Sequence, residues 1–136
     1  MKIRSLFLIL IWGFIQGCSS LVIKNHLVGN YYLTAPDEYN QLALSYHAPD
    51  DGSTYGVIIS GTVFAIGYNE KYLIAKQHPY IFAMPLDTTI TKYYILPLKD
   101  SFDFRTMNGL IGPMTKDQFI LKRDRPSVVL GTIVDL

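Results

Sequence analysis

The chain has a single cysteine, Cys18, in 136 residues. With no second thiol it cannot close an intramolecular disulfide, so any folded domain rests on packing and hydrogen bonds. No apolar run is long enough to cross a bilayer as a helix, which needs about 20 residues; the apolar stretch Leu6 to Ile15 falls well short. Neither sign of charge prevails, with 12 Lys and Arg against 11 Asp and Glu. That balance argues against nucleic acid as a partner and against a polybasic membrane patch.

The residues of familiar chemistry are equally sparse. His26, His47 and His78 form no His-x-x-x-His pair and have no cysteine beside them, so a metal site would require them to converge through folding, with Asp50 or Asp51. Ser45, Ser53 and Ser60 lack the Gly-x-Ser-x-Gly elbow, although a triad is assembled by geometry and not by sequence order. Gly61, Gly67, Gly109 and Gly112 match neither the Walker nor the dinucleotide spacing. Asp37-Glu38 and Asp50-Asp51 fall in turn-prone segments, and adjacent acids cannot by themselves flank a glycosidic bond. No catalytic residue and no metal ligand is assigned.

What is present begins at the first residue. Lys2 and Arg4 precede the apolar run, which ends in Gln16, Gly17 and Cys18. A short basic start, an apolar middle and a small residue at the cut are the layout of a secretory signal peptide. Ile15-Gln16-Gly17-Cys18 resembles the lipobox of bacterial lipoproteins, in which an aliphatic residue stands three before the acylated cysteine and a small residue just before it. Gln16 departs from the Ala or Ser more usual there. The resemblance implies cleavage after Gly17 and covalent diacylglycerol and fatty acyl groups on Cys18, with no other cofactor; a plain secretory signal or a short anchor are the alternatives. Two or three chains anchor stably where one does not. Ser19, in place of Asp, favours the outer membrane, facing the periplasm, in a cell with two membranes. The expected location is thus the bacterial cell envelope.

This divides the chain into residues 1–17 as leader, 18–25 as lipidated N-terminus and short tether, and 26–136 as one β-rich domain. Loss of the leader takes Lys2 and Arg4 with it and leaves 119 of the 136 residues, with 10 basic and 11 acidic side chains. A chain of that length supports one domain with a modest core.

Within the domain, Leu27 to Thr34 reads as a strand, then Asn40 to His47, where Leu42, Leu44 and Tyr46 alternate with Gln41, Ala43 and Ser45 as in a half-buried strand. Ala48-Pro49-Asp50-Asp51-Gly52-Ser53 reads as a loop, followed by a strand over Tyr55 to Ser60. Thr62 to Gln77 reads as a hairpin broken at Asn69-Glu70-Lys71, with Phe64, Ile66 and Tyr68 on one face and Ala65 and Gly67 on the other. His78-Pro79 closes it. Tyr93 to Leu98 and Val128 to Val134 supply further strands; Lys99 to Gly112 reads as irregular, with a turn at Asn108-Gly109. One helix is signalled over Lys116 to Arg123: Thr115 and Gln118 form a capping box, Met114 and Phe119 a hydrophobic staple, Asp117 and Lys122-Arg123 suit the dipole, and Pro126 follows. The expected fold is α+β and mainly antiparallel, a bent sheet or open barrel of six to seven strands with one short C-terminal helix.

The block Gly61 to Tyr68, continuing through Tyr72 to Pro79, then Tyr94-Ile95-Leu96-Pro97-Leu98 and Gly112-Pro113-Met114-Thr115, resembles a family of small uncharacterised bacterial lipoproteins across most of the mature chain. The resemblance implies an envelope location and a single β-rich domain, and transfers no catalytic residue.

Ten tyrosines exceed what a small core can bury with every hydroxyl paired. Tyrosine-rich sheet surfaces suit recognition of proteins or glycans, because one side chain offers apolar area and a hydrogen bond. Tyr68, Lys76, His78 and Tyr93, on adjacent strands or their ends, form the candidate binding surface. The expected role is a lipid-anchored, non-enzymatic binding or accessory module for an envelope protein or glycan. The alternative is a small envelope hydrolase or ligand carrier with a cleft built from loops.

Overall fold

The computed structural model describes residues 23–37, 39–124 and 133–135; the expected leader, Gly17, Cys18 and Pro126 lie outside them. Among the described residues there are nine strands: β1 (Ile23–Val28), β2 (Tyr31–Ala35), β3 (Ala43–Tyr46), β4 (Gly56–Ile59), β5 (Val63–Tyr68), β6 (Tyr72–Gln77), β7 (Lys92–Pro97), β8 (Ile111–Met114) and β9 (Ile133–Asp135). One α-helix, α1 (Lys116–Arg123), accompanies them. Every pairing is antiparallel, in two sheets ordered β1-β2-β3-β4 and β8-β7-β6-β5-β9.

The mainly antiparallel class is as expected, whereas the single bent sheet of six to seven strands is corrected to two unclosed sheets. Two local features account for the larger number of strands. Gly29, at φ +55°, turns the chain so that the run read as one strand becomes β1 and β2; β1 starts at Ile23, inside the expected tether 18–25. The irregular stretch yields β8, whose Gly112-Pro113 has weak strand propensity. Only Ile133–Asp135 is described of the strand expected over Val128 to Val134.

Alternation explains the two layers. Tyr31, Leu33, Leu44 and Tyr46 point inward from the first sheet and meet Val63, Ile66, Leu73, Ala75 and Leu96 of the second in one core, as in an aligned sandwich. Each fully buried Leu or Ile there contributes about 1.5–3 kcal/mol. Residues of the opposite parity on the second sheet, Ile74 and Ile95, pack with Met114 and Phe119, so α1 covers that outer face. The helix has the expected capping box between Thr115 and Gln118. A bulge between Val63 and Ala65 corrects the face reading of β5: Phe64 leaves the side of Ile66 and stacks on His78, rings 4.1 Å apart.

The chain crosses between the sheets once, from β4 to β5, at residues 60–62. This passage is held by buried Gln77, whose Nε2 donates to the carbonyls of Ser60 (2.6 Å) and Gly61 (3.1 Å) while its Oε1 accepts from the Tyr94 hydroxyl (2.8 Å). Thr62 takes φ 75°, a region costly for a β-branched residue, and its hydroxyl donates to the His78 carbonyl. Val63 N donates to Leu42 O, and His78 N to Thr62 O.

The Gln77→Leu variant leaves the Ser60 carbonyl and the Tyr94 hydroxyl without their partner, while the Gly61 carbonyl keeps the Thr62 hydroxyl, so urea unfolding is expected to show a loss of about 1–3 kcal/mol; Tyr94→Phe, which orphans one atom, costs about 1. Burial raises the Tyr94 pKa. It also raises that of Tyr31, whose hydroxyl makes no hydrogen bond of normal geometry and on which the Lys99 backbone and Asn108 side chain act in the opposite direction. A pKa higher in the folded state means stability is intact below pH about 10 and is lost as pH rises through the raised values. The double variant Tyr31→Phe/Tyr94→Phe should lose stability less steeply above that pH in alkaline denaturation.

Candidate functional site

Strand pairing gives the sandwich two unlike ends. Ile23, Ala35, Ala43 and Ile59 of the first sheet lie at the end where the chain crosses over, with Val63, Gln77 and Lys92 of the second. Val28, Tyr31, Tyr46 and Gly56 lie at the opposite end, with Tyr68, Tyr72 and Pro97. There Tyr46 donates to the carbonyl of Asp100.

Of the four residues chosen from sequence, the register brings two face to face: Lys76 on β6 is paired with Tyr93 on β7. His78 follows two residues beyond Lys76. Tyr68 stands at the other end of β5, opposite Leu73, and so does not join them. The rings are committed to packing as well. Tyr93 stacks on Phe119 at 4.9 Å, which ties β7 to α1. His78 stacks on Phe64, and its Nδ1 bonds the Ile90 carbonyl at 2.9 Å. It thereby pins both ends of the long β6–β7 connection, residues 78–91.

A second group of rings, on the outer face of the first sheet, forms a continuous surface. His26 on β1 pairs with Tyr32 on β2, and Tyr32 with Ser45 on β3, all of the parity opposite to the core. His26 and Tyr32 have ring centroids 5.1 Å apart; Tyr55 lies 5.3 Å from Tyr32, and His47 lies 4.7 Å from Tyr55. Lys24 extends its ammonium over the Tyr55 ring at 5.4 Å, within the range of a cation–π contact. His26, Lys24 and Val57 are exposed, and Tyr32, His47 and Tyr55 are half-buried. On the same face a buried hydrogen bond joins Thr34 Oγ1 to Ser45 Oγ at 2.7 Å. It fixes β2 against β3 and satisfies two hydroxyls away from water.

The histidines of this face are oriented by their own loops. His26 Nε2 bonds the Gly29 carbonyl at 2.8 Å, and His47 Nε2 bonds the Gly52 carbonyl at 2.7 Å. A carbonyl can only accept, so Nε2 carries a proton in both, and Nδ1 remains for another partner. Gly52 takes φ +61°, the turn geometry that brings its carbonyl back to His47. Among the described residues, no three His, Cys, Asp or Glu side chains come together as a metal site.

Sequence reasoning missed this platform. Tyr32 and Tyr55 were visible in strands, but their neighbours follow from register across three strands, which single-strand patterns do not fix.

The chain belongs to the family described as Protein of unknown function (DUF3997), whose profile matches residues 28–129. No curated protein and no solved structure matches it. The matched stretch contains most of the two-sheet domain and leaves out Cys18.

The His78→Ala variant loses the ring stack and the Ile90 tie, so residues 79–91 should open locally about 1–2 kcal/mol more readily. Hydrogen exchange of that connection in the full chain, against unchanged protection of β2 and β3, measures this directly.

Proposed function

We propose that this family member is a cell-envelope lipoprotein, held in the membrane through diacylglycerol and fatty acyl groups on Cys18, which binds an envelope protein or glycan without catalysing a reaction on it. The observation that carries the binding reading is the platform of His26, Tyr32, Tyr55 and His47 on the open face of the first sheet. Rings held in contact by strand register lose little freedom when a partner covers them, which makes them effective contact area. Lys24 and the two free imidazole nitrogens add polar contacts at the rim of the apolar area, the composition typical of interface anchors.

The displaced titratable groups of this domain belong to its packing and to one loop turn. Among the described residues, the displaced pKa values belong to Tyr31 and Tyr94, through burial, and to Asp87, through hydrogen bonds from Thr89. Tyr31 and Tyr94 stand on different sheets and Asp87 is fully exposed in the β6–β7 connection.

Affinity capture from native envelopes tests both halves of the proposal. The acylated wild type is expected to recover a specific protein or glycan near one-to-one, and Tyr32→Ala/Tyr55→Ala to lose it by about tenfold or more, as for truncation of interface anchors. Cys18→Ala should leave the membrane fraction. Undiminished capture by the double variant would move the binding face elsewhere, and retention of Cys18→Ala in membranes would refute the anchor.

A further inference from the structure

Among the described residues, the β6–β7 connection carries the largest group of exposed apolar side chains close together in the chain. Phe82 is 86% exposed, Ile81 60%, Met84 59% and Tyr80 58%, with Ile90 and Leu86 beside them. A contiguous apolar group of this kind on a small domain marks a contact surface. Its one charged residue, Asp87, accepts from the backbone and hydroxyl of Thr89, and no other acid or base lies between Pro79 and Thr91. The loop is held at its base by His78, so it projects from a fixed footing.

Its place in the fold decides what covers it. Tyr80 shares a recess with Pro36, the residue after Ala35, and Ala35 is paired with Ile23 at the start of β1. The loop and the point where the chain enters the domain therefore lie at the same end of the sandwich. Cys18 precedes Ile23 by five residues, and five extended residues reach about 18 Å at most. An acylated Cys18 brings this end, and not the opposite one, against the bilayer.

We infer that the Tyr80–Ile90 loop seats in the phospholipid interface beside the lipid anchor, so that the domain docks on the membrane in one orientation instead of swinging on its tether. This rests on the anchor reading of Cys18. Aromatic and aliphatic side chains at a loop tip partition to the headgroup boundary, entering about 5–10 Å, and Tyr80 has the amphipathic character favoured at that depth. Docked so, Tyr55 and His47 lie toward the end away from the bilayer, and the platform stays open to a partner.

The test uses the full chain produced with its own leader, in a Trp12→Phe background that removes the single native indole. It is reconstituted in phosphatidylethanolamine–phosphatidylglycerol vesicles containing brominated phospholipid. Phe82→Trp places a reporter in the loop, and Leu121→Trp, at a position 74% exposed on α1, serves as reference. Brominated lipid should quench the Phe82→Trp emission at least about twofold more than the reference, with a blue shift. Mass spectrometry of the N-terminus separates the two readings. Equal quenching at both positions with acyl groups present overturns loop docking and leaves the anchor standing. Absence of acyl groups overturns the anchor, and selective quenching in that unacylated protein still supports a lipid-seeking loop, whereas equal quenching overturns both. Equal quenching together with concentration-dependent dimers, by sedimentation, assigns the loop to a second copy of the chain and overturns the proposal.

Discussion

The fold depends on how the chain leaves one sheet and enters the other. At residues 60 and 61 the backbone leaves one sheet for the other with part-buried carbonyls that no strand ladder pairs, and such groups need partners. Gln77 supplies them from the end of β6 while Tyr94 holds its amide oxygen. Because Gln77 belongs to the second sheet and Ser60 to the end of the first, this contact fixes the sheets in register. Thr62, in the left-handed region, is kept there by backbone bonds to His78 on the same strand end. Without disulfides, these few polar ties and the shared apolar layer set the geometry of everything attached to the sandwich.

From that geometry follows a division of labour along the strands. The crossover end carries the apolar loop, pinned by the same His78 that braces Thr62. The opposite end is built of polar turns: Asp50 and Asp51, Asn69 with Glu70 and Lys71, and Asp100 to Arg105. Phe102 does not break this pattern, since it packs against Tyr31 and Tyr46; Phe104, whose ring lies where a Cβ on Gly56 would be, is a partly exposed exception. An apolar end and a polar end on one rigid body favour a fixed orientation at any boundary between lipid and water.

How much of this was legible in the sequence depends on the range of the interaction involved. The helix was fully legible, because its cap, staple and charges act within one turn and Thr115, Gln118, Met114 and Phe119 read alike in sequence and structure. The inward face of β3 was legible for the same reason, since the alternation of Leu44 and Tyr46 with Ser45 is local, but the half-buried reading was not, because Ala43 and Ser45 on the other face are buried as well. The β1–β2 turn was missed because the apolar run was read as continuous across Gly29-Asn30, although that pair is a two-residue hairpin signal, and β8 because Gly and Pro mask its strand character. Tyr68 was grouped with Lys76, His78 and Tyr93 on strand adjacency alone, although its position on β5 sets it at the far end. The Gln77 network and the His26–Tyr32–Tyr55–His47 platform draw on residues as distant in the chain as Ser60 and Tyr94 or His26 and Tyr55, and only the register of several strands brings them together.

The two aromatic groups on the outer faces are therefore different in kind. On the second sheet, Tyr93 is covered by Phe119 and its neighbours Ile74 and Ile95 are buried under α1; its ring completes a core and has little area left for a partner. On the first sheet no described helix crosses Tyr32 and Tyr55, yet their rings touch one another and two histidines whose orientations are set by Gly29 and Gly52. Burial of the Thr34–Ser45 pair on that face ties the platform to the sheet backbone, not to mobile side chains. Under the proposed binding role, the first sheet therefore offers the contact area and the second gives structural support.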